Sequence, residues 1–547
     1  MKRLFTKTSG LLIACATPMA MGFTFETETV SGSLDSTFSY GLGVRTEAPG
    51  CKLITTGATG HNAPSGCLQP TVGIGDQGNM NYGKGDLFTH YLKGTHELLL
   101  KLPADFTFMA RGTWIRDFAV TDTSGALSAN TPPGVGSDGL THDARDELKF
   151  KARLLDLWVS KNFDLGDYRV RARLGNQVIN WGESLFTAGG INNTNSYDVM
   201  ALSRPGTQLK EALLPAPMLS LASGLGHGVN VEAYWQFGWN KSEIAPVGSY
   251  WSTTHGLGEG MEAYGSRDKD ARDSGQWGVS LRWQPDNTDL NLGLYVMRYH
   301  DKLPSAIIEV LDPATLSTAI NWVYPEDRML YGISANMPVG DWAVGTELSY
   351  RPKDAVTLNP VACTLAGGGE CWKEEKKLQW HLTGFYSMTP SNSSTLLDLT
   401  GASTGTLLTE LVVIKYPGLK DEYDGIPIGA GLNNWWMDPS VLPRAVGDRS
   451  SSGISLDFSL TYENTLLEGW QVTPGVFYSQ SLGGRTPNLA ATFTESSSNL
   501  NLYLNFVRNP ASWQVSLNYA KFFGGETPYD QMLRDRDYVG LVVSRSL

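Results

Sequence analysis

Three arginines pose the first chemical question. In Tyr168–Leu174, reading YRVRARL, Arg169, Arg171 and Arg173 take every second position, and Tyr168, Val170, Ala172 and Leu174 lie between them. Successive side chains of a strand point to opposite faces, so this stretch has one basic face and one apolar face. Arg111, with Thr107 and Thr113, falls on the polar face of 105–118, and Lys151 and Arg153 on that of 148–162. If the three segments are neighbours, their cations form one stripe. Such a stripe attracts anions and stalls cations in a pore, and an arginine grips a carboxylate or phosphate through two parallel bonds. Two uses stand open. The stripe holds acids of this chain, such as Glu183, Asp198 and Glu211, or it orients the anionic head of a passing molecule.

Other chemistry has less to work with. The chain has eight histidines, none in a nucleophile motif, and no G-x-S-x-G. No phosphate loop or metal-ligand spacing occurs, so neither an enzyme nor a cofactor is expected. His90 and His96 share the apolar face of 88–101 with Leu92 and Leu98 and read as interfacial. Asp421, Glu422 and Asp424 read as solvated loop acids, with calcium binding as the alternative.

The elements that must carry the arginines show the same alternation. In Asn499–Val507, NLNLYLNFV, Leu500, Leu502, Leu504 and Phe506 share one face, with Asn499, Asn501, Tyr503 and Asn505 on the other. Trp513, Val515, Leu517 and Tyr519 likewise oppose Gln514, Ser516 and Asn518. Candidate strands fall near 31–45, 88–101, 105–118, 148–162, 168–181, 215–224, 228–239, 275–284 and 289–300. They continue near 328–338, 341–351, 374–388, 403–416, 453–466, 469–481, 498–508, 512–524 and 537–547. Short turns, such as Leu102–Ala104, Pro338–Asp341 and Asn509–Ala511, alternate with long polar loops. That asymmetry marks a transmembrane barrel with both termini periplasmic. About 18 strands fit, with 16 or 14 as alternatives. A sandwich of this size would split at a linker, and none is visible. The expected fold is therefore all-β: one antiparallel barrel in the outer membrane, touching lipid and lipopolysaccharide. In the last strand Val539, Leu541, Val543 and Leu547 fit an outward face, and Arg545 interrupts it.

Composition agrees. Of 547 residues, 18% are charged, 10% are aromatic and 60 are glycine. Soluble chains carry about a quarter charged residues. The net charge of −12 argues against nucleic acid as a partner. Lys2, Arg3 and Lys7 precede the apolar run Leu11–Met21, which reads as a signal peptide over 1–22, cleaved after Gly22, with 23–547 as the barrel. Leu12–Cys15 leaves lipidation of Cys15 as an alternative. The mature chain keeps Cys51, Cys67, Cys363 and Cys371. Three pairings are open. Closeness in sequence and an oxidising compartment favour Cys51–Cys67 and Cys363–Cys371.

One stretch breaks the alternation. Residues 182–214 are too long for an ordinary connection. With Trp181 they hold Leu185, Phe186, Ile191, Val199, Met200 and Leu202, all able to pack. Pro205 and Gly206 turn the chain, and Thr207–Leu214 suits a short helix. We read the stretch as an inward plug or constriction carrying Trp181, Glu183, Asp198, Arg204, Pro205 and Glu211, with an extracellular cap as the alternative. Polar backbone at membrane depth is tolerated where protein screens it from lipid. The loop aromatics Trp322, Tyr324, Trp435 and Trp436 are candidates for a receiving surface.

The stretch Leu174–Ser220, LGNQVINWGESLFTAGGINNTNSYDVMALSRPGTQLKEALLPAPMLS, resembles the most typical part of a proteobacterial outer-membrane family catalogued as domain of unknown function 1302. SGSLDSTFSYGLGVR at 31–45, GWQVTPGVFYSQSLGGRTP at 469–487 and DRDYVGLVVS at 535–544 resemble its ends. The resemblance implies an outer-membrane barrel that handles hydrophobic compounds such as steroids, terpenoids or fatty acids. It also implies a periplasmic lipoprotein partner and an inner-membrane pump of the resistance-nodulation-division type. It brings no catalytic residues. The expected function is passage or hand-off of hydrophobic small molecules or lipids. A general or anion-selective porin and a docking module for a trans-envelope pump are the alternatives.

Overall fold

Alternation forces the architecture. Each apolar-polar strand has one face that must leave water and a backbone that must pair on both sides. The computed structural model describes residues 22–50, 53, 77–123, 135, 139–314, 317–429, 446–508 and 512–547. Eighteen strands close into one antiparallel barrel. They are β1 Ser31–Arg45, β2 Leu87–Leu102, β3 Phe106–Asp117, β4 Phe150–Leu165, β5 Tyr168–Gln177 and β6 Ala216–Gly226. Next come β7 Val229–Gln236, β8 Gln276–Trp283, β9 Asn291–Tyr299, β10 Arg328–Val339, β11 Trp342–Thr357 and β12 Trp372–Met388. The last six are β13 Thr404–Lys415, β14 Ser450–Glu463, β15 Trp470–Gly483, β16 Ser497–Arg508, β17 Trp513–Gly524 and β18 Tyr538–Ser546. Every strand pairs with the next in sequence, and β18 pairs with β1 from Thr37↔Ser546 to Arg45↔Tyr538. The short strand Phe23–Glu26 continues that seam along Ser31–Leu34.

The expected strands all appear, with boundaries shifted by a few residues. The largest shift is in β11, which runs on to Thr357, and β5 ends early, at Gln177. Trp181 therefore belongs to the stretch that follows, not to the strand. Residues 1–21, which hold Cys15 and all of the expected signal peptide but Gly22, lie outside the described residues, as do Cys51, Cys67, the turn 509–511, Trp435 and Trp436.

The outward face is apolar strand after strand. Tyr40, Leu92, Leu174, Leu221, Leu294, Ile333, Leu502, Leu517 and Val539 are all exposed there. At the short-turn end the strands begin or finish on aromatics: Phe106, Phe163, Tyr168, Trp283, Trp342, Trp470 and Trp513. Aromatic girdles of this kind flank the apolar band of membrane barrels. Arg545, which interrupts the alternation in β18, reaches this girdle and lies 5.1 Å from the Trp513 ring centroid. A long side chain on the apolar face thus keeps its charge at the edge.

At the opposite end the long loops build a layer of their own. Ser266–Lys269, Ser305–Asp312, Ser317–Val323 and Gly369–Glu370 form a second, four-stranded sheet. Sequence reading missed it. Val247, Leu257, Met261, Ile308, Ile320 and Trp322 pack under it with Cys363 and Cys371, which are joined in a disulfide. Trp322 is fully buried and donates from Nε1 to the Gly256 carbonyl at 2.6 Å; Tyr324 is buried as well. These two residues hold the loop layer together and do not form an open receiving surface. Cross-linking a loop this short contributes about 2–3 kcal/mol. C363A/C371A should leave the barrel's heat-modifiable migration unchanged and open the loops around 305–323 to protease. Equal protease resistance in both proteins would show that the disulfide does not hold the layer.

Candidate functional site

The residues between β5 and β6 enter the barrel and cross it. Their first lobe starts on a packed base. Ile179, Trp181 and Ile191 bury against Met218, Tyr234, Tyr295, Met297 and Leu330 of the β6–β10 wall. Trp181 Nε1 donates to Glu232 at 2.9 Å, and Arg282 donates to the Trp181 carbonyl at 2.9 Å. From there the chain reaches the far wall, where two carboxylates take hold of its backbone. Glu347 on β11 accepts the Glu183 N–H at 2.5 Å and the Ile191 N–H at 3.0 Å. Glu410 on β13 accepts three successive N–H groups, from Leu185 at 3.0 Å, Phe186 at 3.0 Å and Thr187 at 2.7 Å. His381 on β12 lies between them, with Nδ1 3.0 Å from Glu410 Oε1 and Nε2 3.9 Å from Glu347 Oε1. Gln379 donates to the Ala188 carbonyl at 3.2 Å. Glu347, His381 and Glu410 are almost wholly sealed from solvent.

This grip explains the glycines of WGESLFTAGG. Gly190 has φ +61°, and a Cβ there would collide with the Glu347 carboxylate. Only glycine combines that backbone with so close an approach. At the tip of the lobe the Phe186 ring lies 5.2 Å from the Phe477 ring on β15.

The second lobe returns to β2 and β18. Asp198 caps the helical turn Val199–Ser203 by accepting from the Ala201 N–H at 2.8 Å. It also meets Lys151 at 3.4 Å and Arg153 at 3.2 Å. Burial pushes the Asp198 carboxyl up, and Lys151, Arg153 and the Ala201 N–H outweigh it, holding the group below the usual carboxylate range. Pro205 packs on Gly540 of β18, and its carbonyl accepts from Tyr91 Oη at 2.6 Å. Arg204 lies 6.0 Å from the Tyr91 ring centroid. Gly206, at φ +73°, has no room for a Cβ against Val542. The short helix Leu209–Ala212 follows, and its Glu211 meets Lys93 at 2.5 Å and Thr95 at 2.6 Å.

The basic stripe is spread among several roles. Lys151 and Arg153 share Asp198 with Glu243 of the next loop. Arg111 pairs with acids of the wall, Asp156 at 2.7 Å and Glu97 at 3.4 Å. Arg173 stacks 4.1 Å over the Trp158 ring. Arg169 stands at the turn end, exposed and 3.1 Å from Asp105. Arg171 is exposed in the interior, on the same face as Arg173. The expectation that these arginines clamp Glu183, Asp198 and Glu211 is therefore corrected for two of the three acids. Glu211 is held by Lys93, and Glu183 accepts from Asn336 at 2.8 Å. Sequence reading missed Lys93, Glu347, His381 and Glu410. Each is a charged or titratable residue on the inward face of an otherwise alternating strand, which was the available signal. Among the described residues no group of acids, histidines and cysteines is arranged to hold a metal.

The backbone grip gives a direct test. Glu410→Leu leaves three N–H groups without an acceptor, each costing about 1–3 kcal/mol if it stays dry. The first lobe should leave the wall. Protease should then cut near 184–188 in detergent, while Glu410→Gln, which keeps an acceptor oxygen, stays close to the parent. An uncut Glu410→Leu would mean that the packed base alone fixes the lobe.

No curated protein matches the chain significantly. Among solved structures it is similar to OccAB1 of Acinetobacter baumannii, at 11% identity and TM-score 0.42, over 94% of this chain and 96% of that one. It is also similar to OpdK of Pseudomonas aeruginosa with vanillate, at 11% identity and TM-score 0.42, over 94% and 98%. OccAB3 of Acinetobacter baumannii follows at 8% identity and TM-score 0.41, over 94% and 99%. The architecture itself rests on the strand ladder described above. The family is settled by sequence: the model described as "Protein of unknown function (DUF1302)" matches residues 3–547, and the chain belongs to that family.

Proposed function

We propose that this protein is an outer-membrane conduit that passes or hands off hydrophobic small molecules or lipids of steroid, terpenoid or fatty-acid type. The observation that carries the reading is the pairing of a closed barrel, apolar outside on strand after strand, with a chain segment anchored across its interior. A sheet without edges and with an oily outer face suits a bilayer, because every backbone group is paired away from lipid. A segment across the lumen narrows an open pore into a selective one. The preference for hydrophobic cargo comes from the family resemblance, as do a periplasmic lipoprotein and an inner-membrane pump as partners. An anion-selective porin is the second reading, favoured by Arg171 exposed on the inner face.

Two experiments test this. The first is deletion of the gene followed by growth on sterol, terpene and fatty-acid carbon sources. Slower growth on at least one class, restored by the gene, is expected, and equal growth on all of them would sink the cargo assignment. In planar bilayers, large steady anion-biased currents would move the assignment to the porin. The second addresses the membrane itself. Leu502→Arg on the outer face should cost about 2–4 kcal/mol of folding stability in lipid. Asn501→Arg, one residue away on the inner face, should cost far less. Equal costs would contradict a lipid-facing band.

A further inference from the structure

One part of the interior wall, β14–β17, receives none of the hydrogen bonds and ion pairs described above for the two lobes. The hydrogen bonds and ion pairs that hold the crossing segment go to β2, β4 and β7–β13. Toward β15 the segment presents the Phe186 ring, against Phe477. On this side the strand register sets a row of inward residues side by side. Phe385 faces Leu408, Leu408 faces Asp457, Asp457 faces Phe477, and Phe477 faces Asn501. All five are partly open to solvent, whereas Glu410, two residues from Leu408 on the same strand face, is 1% exposed.

The chemistry of this row differs from that of the opposite wall. Three of its members are apolar, two rings and a leucine, and Phe186 adds a third ring from the segment. Asp457 accepts from Tyr503 Oη at 2.7 Å, and Asn518 donates to Asn501 at 3.3 Å. The inward faces of β15, β16 and β17 carry Ser, Thr, Asn, Gln, Gly, Ala and aromatics, with Val507, and no lysine, arginine or glutamate. A carboxylate or phosphate would find its partners across the lumen, at Arg171 and Arg173. A molecule settling on the β12–β16 side meets rings and a leucine, with an amide and a carboxylate–hydroxyl pair between them. Apolar surfaces with a few placed polar groups are how proteins hold small apolar ligands in one orientation.

We propose that cargo travels along this wall, in a strip formed by Phe186, Phe385, Leu408, Asp457, Phe477 and Asn501, and that the strip takes a neutral molecule with an apolar body and a single hydroxyl or carbonyl group. The Phe186–Phe477 contact is the narrow point of the route. This assignment rests on the conduit reading, and its test separates the two.

The full-length chain is reconstituted in liposomes, with barrel formation checked by heat-modifiable migration. A fluorescent sterol serves as the neutral probe and oleate as the anionic one. Asn501→Cys and Arg171→Cys are compared, against the parent, for modification by a small water-soluble thiol reagent. The sterol should slow modification of Asn501→Cys about tenfold and leave Arg171→Cys unchanged. Phe477→Ser and Leu408→Ser should each weaken sterol protection about tenfold, the loss expected when a buried apolar side chain is removed from a contact. Protection at Arg171→Cys alone, or stronger protection of Asn501→Cys by oleate than by sterol, overturns the strip. Sterol flux that persists unchanged in both serine variants overturns the strip and keeps the conduit. Protection at Asn501→Cys without flux keeps the strip and removes the conduit.

Discussion

The interior of this molecule is organised by backbone N–H groups that need an acceptor far from bulk water. A strand meets the need through its neighbour, and closure of β18 on β1 leaves the barrel without an open edge. The segment after β5 has no strand beside it where it crosses the lumen. It meets the same need with side chains from the wall. Glu347 takes two N–H groups and Glu410 takes three, and His381 stands between the two carboxylates. A carboxylate ringed by amide hydrogens is a strong, charge-assisted arrangement. In a dry setting, removing it costs more than the net value of any one bond.

The two lobes are held by different physics. The first is gripped through main-chain atoms at its tip and packed at its base around Trp181. The second is held through side-chain charge: Lys93 on Glu211, and Lys151 with Arg153 on Asp198. It is also seated by close contact, with Pro205 on Gly540. Their hydrogen bonds and ion pairs fall on the charged side of the barrel, away from the side rich in serine and asparagine. The loop layer, sealed by Trp322 and stapled by Cys363–Cys371, restrains the long-loop end of the barrel separately.

Much of this was legible in the order of residues. Period-two alternation places every barrel strand because burial on one face repeats at every second position, as in Leu500–Phe506. The interruption at 182–214 marks the inward segment because no strand of that composition has a consistent face. The partners of its acids were not legible. Glu183 and Glu211 could be assigned to arginines only by guessing which wall each would reach, and the lobes carry them to Asn336 and Lys93 instead. The loop sheet escaped notice because its strands come from three separate loops. One of its pairings, Ser266–Lys269 with Ile320–Val323, is parallel, which short-range pattern cannot reveal.

The way Glu410 holds Leu185, Phe186 and Thr187 has an evolutionary corollary. Its three contacts are to amide hydrogens, which nineteen of the twenty amino acids supply alike. Anchorage is thus indifferent to what hangs from Cα at these positions, proline excepted. The rings and chains of this tip are free to drift between relatives while the attachment endures, so selectivity and foldedness can be inherited as separate traits.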